Sequence, residues 1–394
     1  MLNRRFVTLW LAMFLSGVAS APVVALFSVY IEAELHQTPL FAASYRSIYM
    51  LLAGVFSIIG GALCDSLGRK QTFLLGLTST LALAAAFLVG HPLLLLVLFV
   101  YAGITTGLYT TAGQTYMMAA VPQTTMGLAT AVYFLGYTLS NSVGSYAVGQ
   151  IVEASSFRAA GLVLLALAGA ALVLAVLLLP SLPREGQGRA LAFVETLAGY
   201  RAIAARPAVA LLLGLRILPT IYWGMATLLI PLLIYRATQS PVVAAQYASV
   251  SLLIAAGCQL LTGRLLDRVG YRPPVLLTLT VLLVVAFLSA LFATSVVGLF
   301  VVGVVGAAAA WSLATAIPGP VREIAEEAEQ GRVLGATELV WSFSMMAGNL
   351  LGGQLVEWNA GLPFGVAGLV LLPALPMAWR LFHGEYAVAA LAKT

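Results

Sequence analysis

Two ionisable side chains lie inside long apolar stretches of this 394-residue chain, where a charge is costly. Arg216 follows nine residues of the stretch 207–235, and Glu338 follows six residues of the stretch 332–356. A charged group at the centre of a membrane span costs roughly 2.5–3.5 kcal/mol on insertion scales, so each position is a candidate functional site. At about 1.5 Å of rise per residue, the two depths differ by about one helical turn. The sequence therefore predicts an Arg216–Glu338 pair.

Two interpretations of this pair remain open. In the first, Glu338 binds and releases a proton, and Arg216 tunes that step or holds an anionic group of a substrate. In the second, the pair is static and locks its helices together. Glu338 is the candidate for proton coupling because it is the one acid well inside a predicted span.

Arg46 is a third charge within an apolar stretch, 41–64, and it lies close in sequence to Glu32 and Glu34. One interpretation is an ion pair that gates this end of the helices. The other joins Arg46 with Arg216 as two cationic contacts for an anionic substrate.

Aromatic and amide side chains on other apolar stretches could complete a cavity. A wall of rings with few charges suits a bulky amphipathic molecule, although the same residue types also serve helix packing and membrane interfaces. The candidate cavity residues are Tyr109, Gln114, Tyr137, Asn141, Tyr222, Trp223, Trp311 and Trp341.

Composition decides which elements hold these residues. Charged residues make up 8% of the chain and hydrophobic residues 61%, whereas soluble domains carry about 25% charged residues. The chain must therefore lie largely in lipid, and crossing a bilayer takes roughly 20 apolar residues as a helix. We predict an all-α integral membrane protein with twelve spans, at 6–31, 41–64, 71–90, 93–119, 127–152, 158–180, 207–235, 241–266, 273–293, 296–318, 332–356 and 361–382.

The distribution of Lys and Arg predicts the orientation. With the N-terminus inside, fifteen of the nineteen basic residues fall on the cytoplasmic side, as the positive-inside rule requires. We therefore expect a multi-pass protein of the cytoplasmic membrane with both termini inside. The net charge of +5 then reflects topology and contact with anionic lipids, and gives no reason to invoke nucleic acid.

The chain repeats itself at an offset of about two hundred residues. Three echoes occur in the same order: Asp65 with Asp267, "GQIVE" (149–153) with "GQLVE" (353–357), and "AGLVLL" (160–165) with 367–372. We predict two similar six-helix bundles, 1–180 and 207–394, joined by a cytoplasmic linker, 181–206. The linker contains either an amphipathic helix on the membrane surface or a structureless connector.

The first echo belongs to two charged loops, "GALCDSLGRK" (61–70) and "GRLLDRVGYR" (263–272). Gly68 and Gly270 permit a tight turn with positive φ, whereas Gly61 and Gly263 are expected to let neighbouring helices approach closely. Asp65 can accept hydrogen bonds from a helix N-terminus in the other half. The alternative is that these charges only fix the topology. If such hydrogen bonds join the two halves, the loops act as a conformational latch. The candidate residues of this latch are Gly61, Asp65, Gly68, Arg69, Lys70, Gly263, Asp267, Gly270 and Arg272.

These loops resemble the signature of the major facilitator superfamily, with a weaker second copy in the second half. The resemblance covers essentially the whole chain and is closest to the drug and solute efflux members. It implies two pseudo-symmetric bundles that alternate access to a midplane site, and a latch that holds the outward-open state. Two features of drug exporters are absent: an arginine in the fourth span and G-P-x-x-G-G in the fifth.

We therefore expect a monomeric secondary transporter that exports a small amphipathic or drug-like solute by proton antiport, without a cofactor or metal. An organic-anion uptake carrier and a lipid or lysolipid carrier remain alternatives. A membrane-embedded enzyme fits less well because His36, His91 and His383 are isolated. A receptor would carry a large soluble domain or a long tail.

Overall fold

The computed structural model describes residues 3–122, 126–182, 205–324 and 330–383, and these residues form α-helices and turns without a strand. Residues 183–204 of the predicted linker, 181–206, lie outside them. The helices are α1 (Arg4–Ala33), α2 (Pro39–Ser66), α3 (Arg69–Ala86), α4 (Pro92–Ala120), α5 (Met126–Ala154), α6 (Phe157–Leu178), α7 (Pro207–Thr238), α8 (Pro241–Val269), α9 (Arg272–Leu291), α10 (Val296–Ala316), α11 (Pro318–Ile324), α12 (Gln330–Leu355), α13 (Leu362–Leu371) and α14 (Ala374–His383).

Each of the twelve predicted spans coincides with a helical segment of the structure. The last one, 361–382, is divided into α13 and α14 at Pro373. Within the described ranges, nine helical segments are long and apolar enough to cross a membrane, and the last runs from Leu362 to Phe382 through both of these helices. The all-α membrane class is therefore confirmed.

The internal contacts of the chain divide it into two compact units. The first comprises Met1–Ala190 and Ile234–Leu253, and the second comprises Leu191–Leu233 and Ile254–Thr394. The segment Ile234–Leu253, which ends α7 and begins α8, therefore groups with the first six helices although the sequence repeat assigns it to the second half.

Glycines allow the helices of the first unit to pack backbone against backbone. A Cβ added to Gly107 of α4 would lie 2.6 Å from the carbonyl oxygen of Ala53 and from the amide nitrogen of Ser57, both in α2. In α1, Pro22 cannot donate a hydrogen bond to the carbonyl of Val18. Gly144 of α5 approaches that same carbonyl, so that an added Cβ would lie 2.5 Å from its oxygen.

In the second unit, glycines also allow close backbone packing where α7 crosses α12. A Cβ on Gly224 would lie 2.8 Å from the carbonyl oxygen of Met345, and one on Gly348 would contact the carbonyl of Ile221. Because small residues allow close helix contact in membranes, this crossing fixes α7 relative to α12. It therefore also sets the register between the two helices that carry Arg216 and Glu338.

The glycines of the charged loops follow only part of the prediction. Gly68 and Gly270 adopt positive φ, 99° and 74°, as expected for tight turns. The expected close-packing role of Gly61 and Gly263 is wrong for this structure, because a Cβ at either position would meet no atom of the described residues within 4 Å.

Replacing glycine by alanine should affect stability differently at a closely packed position and at an open one. We expect Gly107→Ala to lower the free energy of unfolding by about 1–3 kcal/mol, because its neighbours are backbone atoms that cannot rotate away. Gly61→Ala is the matched control, and the better helix propensity of alanine should leave its stability unchanged or raise it by up to about 1 kcal/mol. Thermal unfolding of both variants in detergent measures the difference. Equal midpoints would contradict the packing argument.

Candidate substrate and ion-coupling sites

The structure brings Arg216 and Glu338 together in the second unit. Arg216 lies in the third turn of α7 and Glu338 in the third turn of α12. The Nη2 of Arg216 donates to Oε1 of Glu338 at 3.4 Å. The Arg216 side chain is 12% exposed and the Glu338 side chain is 63% exposed, so a buried cation meets an accessible carboxylate.

Trp341 completes this group. It follows Glu338 by three residues, so both side chains share one face of α12. The guanidinium carbon of Arg216 lies 6.0 Å from the centre of the Trp341 ring, within the range of a cation–π contact. The Nε of Arg216 is buried and has no hydrogen-bond partner among the described residues. The guanidinium therefore retains donor capacity beside an aromatic ring.

The pair is weak. Strong charge-assisted hydrogen bonds between nitrogen and a carboxylate are about 2.7–2.9 Å long, and the bond here is 3.4 Å. The Glu338 side chain is also well exposed, and exposed ion pairs contribute about 1 kcal/mol or less where water reaches them. This geometry disfavours a static lock and is suited to a pair that a proton or a ligand can separate.

Other polar groups of the second unit are buried without a hydrogen-bond partner in the described ranges. They include the Tyr222 hydroxyl, the Trp311 indole nitrogen, the Ser289 hydroxyl and both polar atoms of Asn349. Tyr222 is fully buried, and Gly306 leaves room for its hydroxyl. Tyr222 therefore offers no surface to a ligand here, and its predicted place in a cavity wall is corrected. Its neighbour Trp223 is partly exposed.

In the first unit, Tyr109 is a packing residue. Its hydroxyl hydrogen-bonds that of Ser16 at 2.8 Å, and its ring stacks on Phe73 with the centroids 5.3 Å apart. Only 8% of Tyr109 is exposed, so the predicted cavity role is not supported. The sequence did not single out Ser16, because a lone serine in an apolar helix is common.

Three remaining candidates of the first unit differ in accessibility. Gln114 and Tyr137 are exposed, which is consistent with a wall that a ligand can reach. Asn141 is buried beside Tyr137, and its Oδ1 has no hydrogen-bond partner in the part of the chain that the structure describes.

Arg46 is neither an open cation nor the partner of Glu32 in this structure, and an ion pair of Arg46 with Glu34 stays a prediction. It is 2% exposed, so it presents no surface to a substrate. Glu32 instead accepts two hydrogen bonds from Nε of Arg236 at 2.8 and 3.0 Å, and one from its Nη2 at 2.7 Å. Sequence proximity misled the prediction because the true partner lies 204 residues away.

No group of three metal-ligating side chains occurs among the residues described. The described residues of the second unit offer hydroxyls, an amide, indoles and the Arg216–Glu338 pair. Such an arrangement can bind an organic solute and exchange a proton.

The family follows from the sequence as a whole. The profile of the Major Facilitator Superfamily matches residues 9–319 and 217–393, which together cover nearly the entire chain. The chain belongs to the Major Facilitator Superfamily. No curated protein sequence matches it significantly. Membership and fold make it a secondary transporter and not an enzyme.

Solved structures of superfamily transporters share the fold. A POT family transporter in complex with 5-aminolevulinic acid has a TM-score of 0.81 at 13% identity, with 96% of each chain covered. A nucleoside transporter has a TM-score of 0.76 at 14% identity, with 99% of each chain covered. A bacterial homologue of human drug peptide transporters has a TM-score of 0.70 at 17% identity, covering 99% of this chain and 98% of its own.

The superfamily loop of the first unit contacts its own unit. Nζ of Lys70 donates to the carbonyl of Val176 near the C-terminus of α6, at 3.1 Å. A cation at this position complements the helix dipole. The side chains of Asp65 and Asp267 lie outside the described structure, so the latch formed by these loops stays a prediction.

Proposed function

We propose that this superfamily transporter couples proton movement to the transport of a small amphipathic anion, with Glu338 as the proton site and Arg216 as the anion contact. The observation that carries the proposal is the loose pair between these two side chains, which is 3.4 Å long and exposed on the glutamate side.

Competition for Arg216 explains the coupling. Ionised Glu338 neutralises the guanidinium, whereas protonated Glu338 releases it for a carboxylate or phosphonate of the substrate. An opposite charge within a few ångströms stabilises the ionised form of a carboxyl group, so an anion at Arg216 and a proton at Glu338 favour each other. Proton and anion then travel in the same direction.

A cationic substrate fits this site less well. It would have to approach Glu338 while lying next to Arg216, and like charges at close range repel. The antiport of an amphipathic cation, expected from the efflux resemblance, is therefore our second candidate. The Trp341 ring beside Arg216 suits the apolar part of either substrate.

The structural relatives are consistent with a small organic acid. One of them is a POT family transporter that binds 5-aminolevulinic acid, and other similar structures are described as proton-dependent oligopeptide transporters. Their low identity makes this an analogy. The Lys and Arg distribution supports a position in the cytoplasmic membrane with both termini inside.

A ligand screen tests the proposal directly. The purified protein would be heated with organic anions, lipophilic cations, sugars and lysolipids, each at pH 5.5 and pH 7.5. A specific ligand at one hundred times its Kd should stabilise the fold by about 2.7 kcal/mol. We expect organic anions to stabilise the protein, and more strongly at pH 5.5, because a proton on Glu338 would release Arg216 for the anion.

The same screen distinguishes the alternatives. Stabilisation by cations that weakens at acid pH would favour proton-driven export, and stabilisation by lysolipids alone would favour a lipid carrier. A matched Glu338→Gln variant should bind the anion equally at both pH values. Retention of the full pH dependence in that variant would contradict the assignment of the proton site.

A further inference from the structure

The two charged loops of the repeat differ in how closely they are packed. In the first copy, Gly68 is buried and Lys70 donates to the α6 carbonyl of Val176. In the second copy, Gly270 is exposed, and a Cβ there would meet no atom of the described residues within 4 Å. The second loop is therefore open on the side where the first is packed.

Two arginines lie next to the open loop. Arg264 and Arg268 are four residues apart on the last two turns of α8, so they share one face of the helix. Both are exposed, and no hydrogen bond or ion pair holds either of them in the part of the chain that the structure describes, which leaves out the side chain of Asp267. Two cations on one face without a partner among the described residues form a candidate site for a negative group.

A row of exposed apolar side chains runs beside these two arginines on α8. Leu261, Leu265 and Val269 of α8 are 63%, 40% and 51% exposed. Their spacing of four residues places them in one row about 12 Å long, and each arginine follows a leucine of the row by three residues. A concavity of about 520 Å³ lies past the row at the junction of α8 and α9, and it is lined by Val269, Gly270, Tyr271, Arg272, Pro273 and Leu276.

We propose that this surface, Leu261–Leu276, is a binding site for an anionic phospholipid, independent of the substrate site. Arg264 and Arg268 bind the headgroup phosphate, and the acyl chains lie along the row towards Leu261. A soluble anion would use the arginines alone, whereas a lipid explains why the cations stand beside an apolar row. The predicted orientation places this end of α8 at the inner leaflet, where anionic lipids attract basic side chains.

Native mass spectrometry of the full-length protein, released from detergent, would measure the binding of phosphatidylglycerol against phosphatidylcholine. The test variant is Arg264→Gln with Arg268→Gln, and the matched control is Arg158→Gln, an exposed arginine at the start of α6. Because each basic residue near anionic lipid contributes about 1 kcal/mol, the double variant should bind phosphatidylglycerol about 30-fold more weakly, and the control should bind like the wild type.

A second variant tests the acyl-chain row. Leu265→Ser should weaken the binding of long-chain phosphatidylglycerol while leaving the dihexanoyl form unaffected. Thermal midpoints equal to that of the wild type establish that the variants are folded. Four outcomes would overturn the proposal: equal binding of the two lipids, wild-type binding by the double variant, equal loss in the Arg158→Gln control, or competition by inorganic phosphate as strong as by the lipid.

Discussion

Glu338→Gln should abolish proton-driven accumulation while preserving substrate binding and exchange. A pH difference of one unit supplies about 1.4 kcal/mol per proton, enough for about tenfold accumulation of a co-transported solute. Glutamine keeps the size of the side chain but cannot bind the proton, so the accumulation ratio in proteoliposomes should fall to about one under the same gradient. Counterflow of labelled substrate should continue, because the protonated glutamate that glutamine imitates is the form that binds the anion.

Glu357→Gln is the control for this experiment. Glu357 is an exposed acid just beyond the other end of α12, and its neutralisation should leave accumulation unchanged. Normal proton-driven accumulation by Glu338→Gln would exclude Glu338 as the coupling site. Loss of both accumulation and counterflow would instead indicate that the carboxylate is needed for binding itself.

Arg216→Ala should weaken anion binding strongly with little effect on the fold. Truncating one partner of a buried charge contact costs about 2–5 kcal/mol, which predicts at least about a 30-fold rise in Kd for the anion. Glu338 is 63% exposed, so it stays solvated without its partner, and the unfolding midpoint should change little. Isothermal titration with the anion found in the screen measures the Kd.

Arg216→Lys refines this test. Lysine keeps the charge but lacks the planar fork that binds a carboxylate through two hydrogen bonds, so its Kd should lie between those of the wild type and Arg216→Ala. Equal anion affinity in all three proteins would remove Arg216 from the site. A large fall in the unfolding midpoint of Arg216→Ala would instead favour the static interpretation of the pair.

The spans and the central pair could be read from the sequence because both depend on local rules. A helix of known rise in a slab of known thickness fixes where a span begins and ends. The same rise placed Arg216 and Glu338 at matching depths, and the structure confirms their contact.

Two other contacts could not be read in this way. Glu32 contacts Arg236, and Ser142 donates to the carbonyl of Ser249 at 2.9 Å, yet nothing in the sequence near Glu32 or Ser142 indicates either partner. The prediction of cavity residues also failed at some aromatic positions. The sequence does not distinguish a tyrosine that lines a cavity from one that, like Tyr222, is packed in a core. Helix rotation decides between the two, and small residues such as Gly306 set that rotation.

The break at Pro373 has a consequence for how the chain enters the membrane during synthesis. At about 1.5 Å per residue, the ten residues of α13 or of α14 cover about 15 Å, half of a hydrocarbon layer about 30 Å thick. In an unbroken helix, the backbone N–H of residue 373 would donate to the carbonyl of Leu369, but proline has no N–H. The backbone amide of Leu372 donates to that carbonyl instead, at 3.3 Å, so the break leaves few backbone groups without a hydrogen bond. Since neither half can be stable in lipid alone, the insertion machinery must accept Leu362–Phe382 as one hydrophobic unit. A ribosome that stopped at Leu372 would release a chain that lacks its last crossing altogether.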